Sequence, residues 1–221
     1  MFTPHAPCCT QAANSNDDVG VVKALNQGEL CLYSQHLLRL RRQCRRSRFG
    51  NEVSDHFLHG YVGRVDLSNT AVLGYFSEDH MRAAIELRSM RGVWCDAAEV
   101  AVTVEAEWRS QGIGSALMLR ALALSQRLGI ERIFLICDRL NRPMQRIAEK
   151  MHACMHFEDS DCLGQIAVAS LTHVKASRDA TPLSLAIREV ASLPRSITCA
   201  LGSLSHTTPG IRGFRRRYGP A

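Results

Sequence analysis

Lysine is scarce in this chain: three of its 221 residues are lysine, against 24 arginines. Long apolar runs are absent as well. None approaches the roughly 20 residues that a membrane-crossing helix requires, and the first twenty residues carry neither a basic start nor a hydrophobic stretch of about 7–15 residues. We therefore expect no membrane span and no secretory signal. Paired cysteine motifs are missing too. Nine cysteines, an odd number, are scattered with no C-x-x-C among them, which points to reduced thiols in a cytoplasm and away from a disulfide framework. Aromatics make up 6% of the residues, and none falls within the Arg39–Arg48 run, where stacking on nucleic-acid bases would demand them.

What is present is ordinary in bulk and uneven in detail. Apolar residues are 46% and charged residues 22%, close to soluble globular averages, and the length suits one domain with extensions. The net charge is +6. Six arginines fall between Arg39 and Arg48 and four more at Arg212, Arg215, Arg216 and Arg217. Guanidinium suits phosphate or carboxylate, but a charge run is most often a solvated helix face, and that is the reading adopted here. Nucleic acid is not an expected partner.

The chain divides into an N-terminal flexible segment (1–28), a patterned middle (29–175) and a basic C-terminal extension (176–221) whose only helical pattern spans 182–190. In the middle, Leu30, Tyr33, Leu37, Leu38 and Leu40 form a helical stripe within 30–48, ended by Gly50. Ser54 opens a second helix with Phe57, Leu58 and Tyr61 on one face. Segments 71–76 and 81–88 flank the polar connection Ser77-Glu78-Asp79-His80, a hairpin pattern. The segment 99–105 alternates: Val100, Val102 and Val104 share one face, and Glu99, Ala101, Thr103 and Glu105 the other. Strand 99–105 leads into Arg109-Ser110-Gln111-Gly112-Ile113-Gly114-Ser115, after which Ile113, Leu117, Ala121, Leu124 and Leu128 recur at helical spacing up to Gly129. An apolar run at 133–137 suits a strand covered on both faces. Pro143 then opens another helix, and 154–157 and 164–171 read as later strands.

A strand that turns through R-x-x-G-x-G into a helix can cradle a pyrophosphate. The first helical turn leaves backbone N–H groups unpaired, the helix dipole adds positive charge, and glycines admit a bulky anion. It is not a P-loop, because no Gly-Lys-[Ser/Thr] is present. Nor is it a dinucleotide fingerprint, because position 117 is Leu where the third glycine belongs. His152, Cys154 and His156 share one strand parity, but no second ligand cluster accompanies them, so no metal is expected.

These residues resemble the GNAT superfamily of N-acetyltransferases. The likeness rests on the lead-in Val104-Glu105-Ala106-Glu107-Trp108, the Arg109–Gly114 turn, the helix closing at Gly129-Ile130, the following apolar strand, and Asn141 after it. Upstream, the arginine run 41–49, Ser54-Asp55 and the 71–87 hairpin are similar to bacterial members. The resemblance implies an α/β fold, a twisted mixed β-sheet flanked by helices, which binds acetyl-CoA where two neighbouring strands splay apart. Val102, Thr103 and Val104 would meet the pantetheine arm; Arg109, Gln111, Gly112, Ile113, Gly114 and Ser115 would hold the pyrophosphate; Asn141 would contact the arm from the adjacent strand end. The amine of a small molecule or protein, bound to a monomer or homodimer, would attack the thioester directly. Glu99 is the candidate general base and Glu105 the reserve. The sequence departs from the family pattern at Ala148, where many members carry a tyrosine as general acid, and at His152-Ala153, where a glycine–aromatic pair is usual. Ala148 keeps a second reading open, a CoA-binding regulatory or scaffold module with little catalysis.

Overall fold

A computed structural model describes residues 20–168. Seven strands form one sheet: β1 (Val21–Ala24), β2 (Thr70–Ser77), β3 (His80–Ser89), β4 (Ala97–Val104), β5 (Arg132–Asp138), β6 (Cys154–Glu158) and β7 (Asp161–Ala167). Their spatial order is β1-β2-β3-β4-β5-β7-β6. All neighbours are antiparallel except β4 and β5. The helices are α1 (Leu30–Arg39), α2 (Arg42–Phe49), α3 (Asp55–Gly63), α4 (Ile113–Arg127) and α5 (Arg142–Lys150).

The alternation of β4 decides the layering. Val100 belongs to the core against α4, with Ile85 and Leu87 of β3, Ile133 and Leu135 of β5, and Ile113, Leu117, Ala121 and Leu124 of the helix. Of the expected α4 stripe only Leu128 is less than fully buried. A second core lies on the opposite sheet face, where Leu30, Tyr33 and Leu37 of α1 and Leu58, Tyr61 and Val62 of α3 pack on Val72, Met81 and Ala84. Strand β5 is covered on both faces, as its continuous apolar run predicts: Ile133, Phe134 and Leu135 are all buried.

Four expectations are corrected. The helical stripe at 30–48 is two helices, because Leu40 and Arg41 are extended (ψ 136° and 151°). Arg45 holds this corner, donating from Nη2 to the Leu38 carbonyl at 2.6 Å and from Nε to that of Leu40 at 3.0 Å. The arginine run is accordingly not a uniform solvated face. Arg41, Arg42 and Arg46 are exposed, whereas the Arg45 and Arg48 side chains retain only 13% and 6% of their exposure. The 71–88 hairpin turns through two residues and not four, since Ser77 pairs with His80 while Glu78 and Asp79 adopt φ of 50° and 59°, the primed geometry that suits strand twist. Finally, β1 lies inside the segment 1–28 read as flexible, paired with β2 from Val21–Phe76 to Ala24–Leu73. The C-terminal extension, its 182–190 helix pattern and the end of the 164–171 strand lie outside the described residues.

Candidate functional site

The two parallel strands part company early. β4 and β5 pair only at Ala97–Arg132, Ala98–Ile133 and Glu99–Phe134. Beyond Glu99 each stays bonded to its other neighbour: Val102, Thr103 and Val104 remain in register with Ile85, Ala84 and Ala83 of β3, and Leu135–Asp138 with β7. A wedge therefore opens between them, with Glu99 at its apex and, on its β4 side, backbone groups that β3 does not use. An extended ligand with amide groups can add to such an edge as a further strand would.

The helix α4 begins at the mouth of this wedge. Gly112 is its N-cap, at φ 83°, and provides no side-chain cap; the first helical bond formed is Ala116 N–H to the Gly112 carbonyl at 3.0 Å. The N–H groups of the preceding turn, Ile113 to Ser115, thus have no helical partner, and they carry the positive end of the dipole. Ser110, at φ 61°, also adopts the left-handed conformation. Arg109 lies over the turn, its Nε donating to the Val104 carbonyl at 3.1 Å, while Gln111 folds back with Nε2 on the Glu107 carbonyl at 3.2 Å. Gly114 has a different reason to be glycine: a Cβ there would stand 2.9 Å from Ile147 Cδ1 and 3.8 Å from Val102 and Val104. It lets α4 close on α5.

Across the wedge, Asn141 caps α5, its Oδ1 accepting from Met144 N–H at 3.2 Å. Pro143 sits in the first turn of this helix, where its missing N–H costs nothing. Ala148 is fully buried in the α4-side core. His152 follows the helix at φ 54°, the left-handed conformation that a C-terminal glycine normally takes.

The two candidate bases are far apart in character. Glu99 is half-buried, between Arg88 of β3 and Phe134 of β5 in the register. Glu105 lies just past the end of β4, six residues on and so roughly 20 Å along an extended chain. It is buried in an ion cluster: its Oε1 accepts from Arg39 Nε at 2.8 Å, and Arg82 Nη1 lies 3.5 Å from Oε2. Burial raises the Glu105 pKa, but hydrogen bonds from His36 and Arg39 outweigh it and hold the carboxyl below its ordinary value. A carboxylate so held is a poor proton acceptor. His36, fully buried, completes the cluster, with Nδ1 3.2 Å from Glu105 Oε1 and Nε2 2.9 Å from Thr103 Oγ1. Burial pulls its pKa below the ordinary value. A carboxylate only accepts, so the neutral ring carries its proton on Nδ1, and Nε2 accepts from the Thr103 hydroxyl.

A second buried cluster centres on Glu86 of β3, 2% exposed. It accepts from Tyr33 Oη at 2.9 Å and Tyr61 Oη at 2.7 Å, and pairs with Arg48 Nη2 at 3.3 Å and Arg88 Nη2 at 2.9 Å. Neither His36 nor Glu86 stands out in the sequence. The available signal is a polar residue at the buried phase of an apolar pattern: His36 follows Tyr33 by three and precedes Leu40 by four, and Glu86 follows Ala84 by two on the strand face that packs on the second core. Among the described residues no group of three or more His, Cys, Asp or Glu is placed to hold a metal ion, and no helix is long and apolar enough to cross a membrane.

Residues 34–153 match the acetyltransferase (GNAT) family. The chain belongs to that family. It is an acetyltransferase of GNAT type, and its seven-stranded mixed sheet with flanking helices is the GNAT fold. Solved structures agree on the fold. The GNAT domain of S. lividans PAT superposes with a TM-score of 0.57 at 18% identity, covering 66% of this chain and 89% of that one. The ribosomal-protein-S18-alanine N-acetyltransferase from Escherichia coli gives 0.52 at 12%, covering 67% and 94%. RimL, a ribosomal L7/L12 alpha-N-protein acetyltransferase in complex with coenzyme A, gives 0.50 at 14%, covering 66% and 92%. No curated protein matches the sequence.

Proposed function

We propose that this GNAT protein transfers the acetyl group of acetyl-CoA to a primary amine by direct attack, with the thioester lodged in the β4–β5 wedge. The observation that carries the reading is the early parting of β4 and β5 at Glu99–Phe134, bordered by the bare N-terminus of α4 at Gly112 on one side and Asn141 on the other. The pantetheine amides run along Val102, Thr103 and Val104 and bond the wedge-facing backbone of Val102 and Val104, since Glu105 N–H bonds the Arg82 carbonyl and Thr103, in the same phase, pairs with β3. The pyrophosphate meets the N–H groups of Gly112, Ile113, Gly114 and Ser115, with Arg109 and Gln111 supplying side-chain donors. Asn141 reaches the arm from the α5 side.

Glu99 is the base. An alkylamine is protonated near pH 7 and attacks only as the free amine, so a proton must be taken from it, directly or through water. The nitrogen lone pair then forms the C–N bond, the C–S bond breaks, and the departing sulfur takes a proton to leave as thiol. Ala148 offers no hydroxyl for that last proton, and water at the wedge supplies it. The acceptor is an amine on a small molecule or a protein, and the six described cysteines, all free thiols, support a cytoplasmic setting.

The test is thiol release from acetyl-CoA with a panel of amines, beside calorimetric titration of CoA. Glu99→Gln is expected to retain CoA affinity and to lose turnover by about 10²–10⁴-fold, the usual worth of a positioned base. Unchanged turnover and an unchanged pH profile in that variant remove Glu99 from the role. Binding without turnover across the panel favours the regulatory module instead, the reading that Ala148 supports.

A further inference from the structure

Helix α2 lies across the mouth of the wedge, and its contacts fall on the side chains proposed to hold acetyl-CoA. Arg109 Nη2 donates to Cys44 Sγ at 2.9 Å. Asn141 Nδ2 donates to Ser47 Oγ at 3.1 Å. Cys44 and Ser47 are three residues apart, and so on one helix face; one touches the α4 side of the wedge and the other the α5 side. Just ahead of the helix, Arg41 pairs with Glu107 at 2.8 Å, next to the same turn.

Left to itself, α2 is a weak helix. It has eight residues, its N-cap Arg41 supplies no side-chain cap, and its first turn contains no acid. Arg42 faces Arg45 and Arg46 at spacings that place like charges together, and the positive N-terminus of a helix disfavours cations. So short a helix depends on tertiary contacts. At its C-terminal end these are firm: Phe49 stands edge-on to Phe57 and Tyr61 at 5.6 and 5.1 Å, and Arg48 donates to Tyr61 Oη at 2.9 Å. Arg45 ties the middle of the helix to the end of α1. Toward the wedge, α2 approaches β4 and β5, and its side-chain hydrogen bonds there are those to Arg109 and Asn141.

We infer that Cys44 and Ser47 compete with acetyl-CoA for Arg109 and Asn141, so that α2 is a strap which the cofactor must displace to bind. This rests on the wedge being the CoA site. Part of the binding energy is then spent on exchanging contacts, and the apparent affinity falls by the fraction of molecules with the strap released.

The experiment is calorimetric titration of CoA into the parent, Arg109→Ala, Cys44→Ala, Ser47→Ala and the Cys44→Ala/Ser47→Ala double variant, with hydrogen exchange on the parent. The double variant is expected to bind CoA about 3- to 10-fold more tightly, each single variant showing part of the gain, since the fraction of molecules with the strap released rises. In the parent, CoA is expected to lower protection of the α2 amides at 44–49. A merely structural role for Cys44 and Ser47 would leave that exchange unmoved. Equal affinity of parent and double variant, with α2 protection unchanged by CoA, overturns the strap alone. Absence of CoA binding in the parent, or an Arg109→Ala variant that binds as the parent does, overturns the site assignment and the strap with it.

Discussion

His36 of α1 and Glu105 at the end of β4 face each other with 3.2 Å between Nδ1 and Oε1, both buried, across 69 residues of sequence. Through this contact, and through Thr103 on the other ring nitrogen, the first helix fixes the strand end from which the Arg109–Ser115 turn departs. Burial opposes a charge on the imidazole even beside the ionised carboxyl, which makes the linkage sensitive to acid in a definite direction.

Burial keeps the folded His36 below its ordinary value of 6.5, so the unfolded chain takes up a proton there before the folded one does. Stability is therefore complete above about pH 6.5 and declines as the pH falls below it. Glu105, held below its ordinary 4.5, adds a second loss beginning only under about pH 4.5. Thermal unfolding followed by circular dichroism should show a flat Tm from about pH 7 to 9 and a first decline between about pH 6.5 and 5. His36→Gln should have a lower Tm at neutral pH but lack that first decline. A variant that declines as steeply as the parent would show that another group is responsible.

Glu86 should be the costliest single charge to remove. Two tyrosine hydroxyls and two guanidinium groups converge on a carboxylate that is 2% exposed, and burial pushes the Tyr33 and Tyr61 hydroxyls well above their usual range, so both remain donors. Breaking a buried ion cluster by removing one partner costs about 3–5 kcal/mol, whereas deleting one hydroxyl costs about 1 kcal/mol. Urea denaturation of Glu86→Gln, Tyr33→Phe and Tyr61→Phe should reproduce that ranking. A Glu86→Gln loss no larger than the tyrosine losses would mean that Arg48 and Arg88 find other partners at no cost.

Local chemistry was legible from the sequence and distant chemistry was not. Val100, Val102 and Val104 marked β4 because a strand facing an aliphatic core alternates, and Gly112 marked the start of α4 because few other residues accept φ 83°. The break at Leu40–Arg41 carries no proline or glycine. It exists because Arg45, five residues later, caps the Leu40 carbonyl. Strand β1 is four residues at the sheet edge, with only Val22 fully buried, too short for a period to show. The parting of β4 from β5 is a property of two strands 28 residues apart, and no residue in either announces it.

His152 should be improvable. It takes φ 54° directly after α5, is exposed, and occupies the position where glycine is usual. The left-handed conformation costs an L-residue about 1–2 kcal/mol, part of which a glycine returns through its greater freedom in the unfolded chain. His152→Gly is expected to raise stability by about 0.5–1 kcal/mol in urea titrations, without altering CoA affinity. A loss of stability would mean that the imidazole makes a contact worth more than the strain.

The two glycines of the turn should fail for different reasons. At Gly112 the constraint is conformational: φ is 83°, and a β-branched residue is out of place there whatever the space. Gly112→Val is expected to cost about 1–3 kcal/mol and to abolish CoA binding, while Gly112→Asn, which tolerates the left-handed region, should recover most of the stability. At Gly114 the constraint is room. The added Cβ meets Ile147 Cδ1 at 2.9 Å, the far end of a side chain that can swing aside, and alanine favours a helix over glycine by about 1 kcal/mol. Gly114→Ala should therefore lie within about 1 kcal/mol of the parent. Urea midpoints for the three variants decide the matter: if Gly114→Ala is as damaging as Gly112→Val, close packing between α4 and α5, and not backbone conformation, governs this turn.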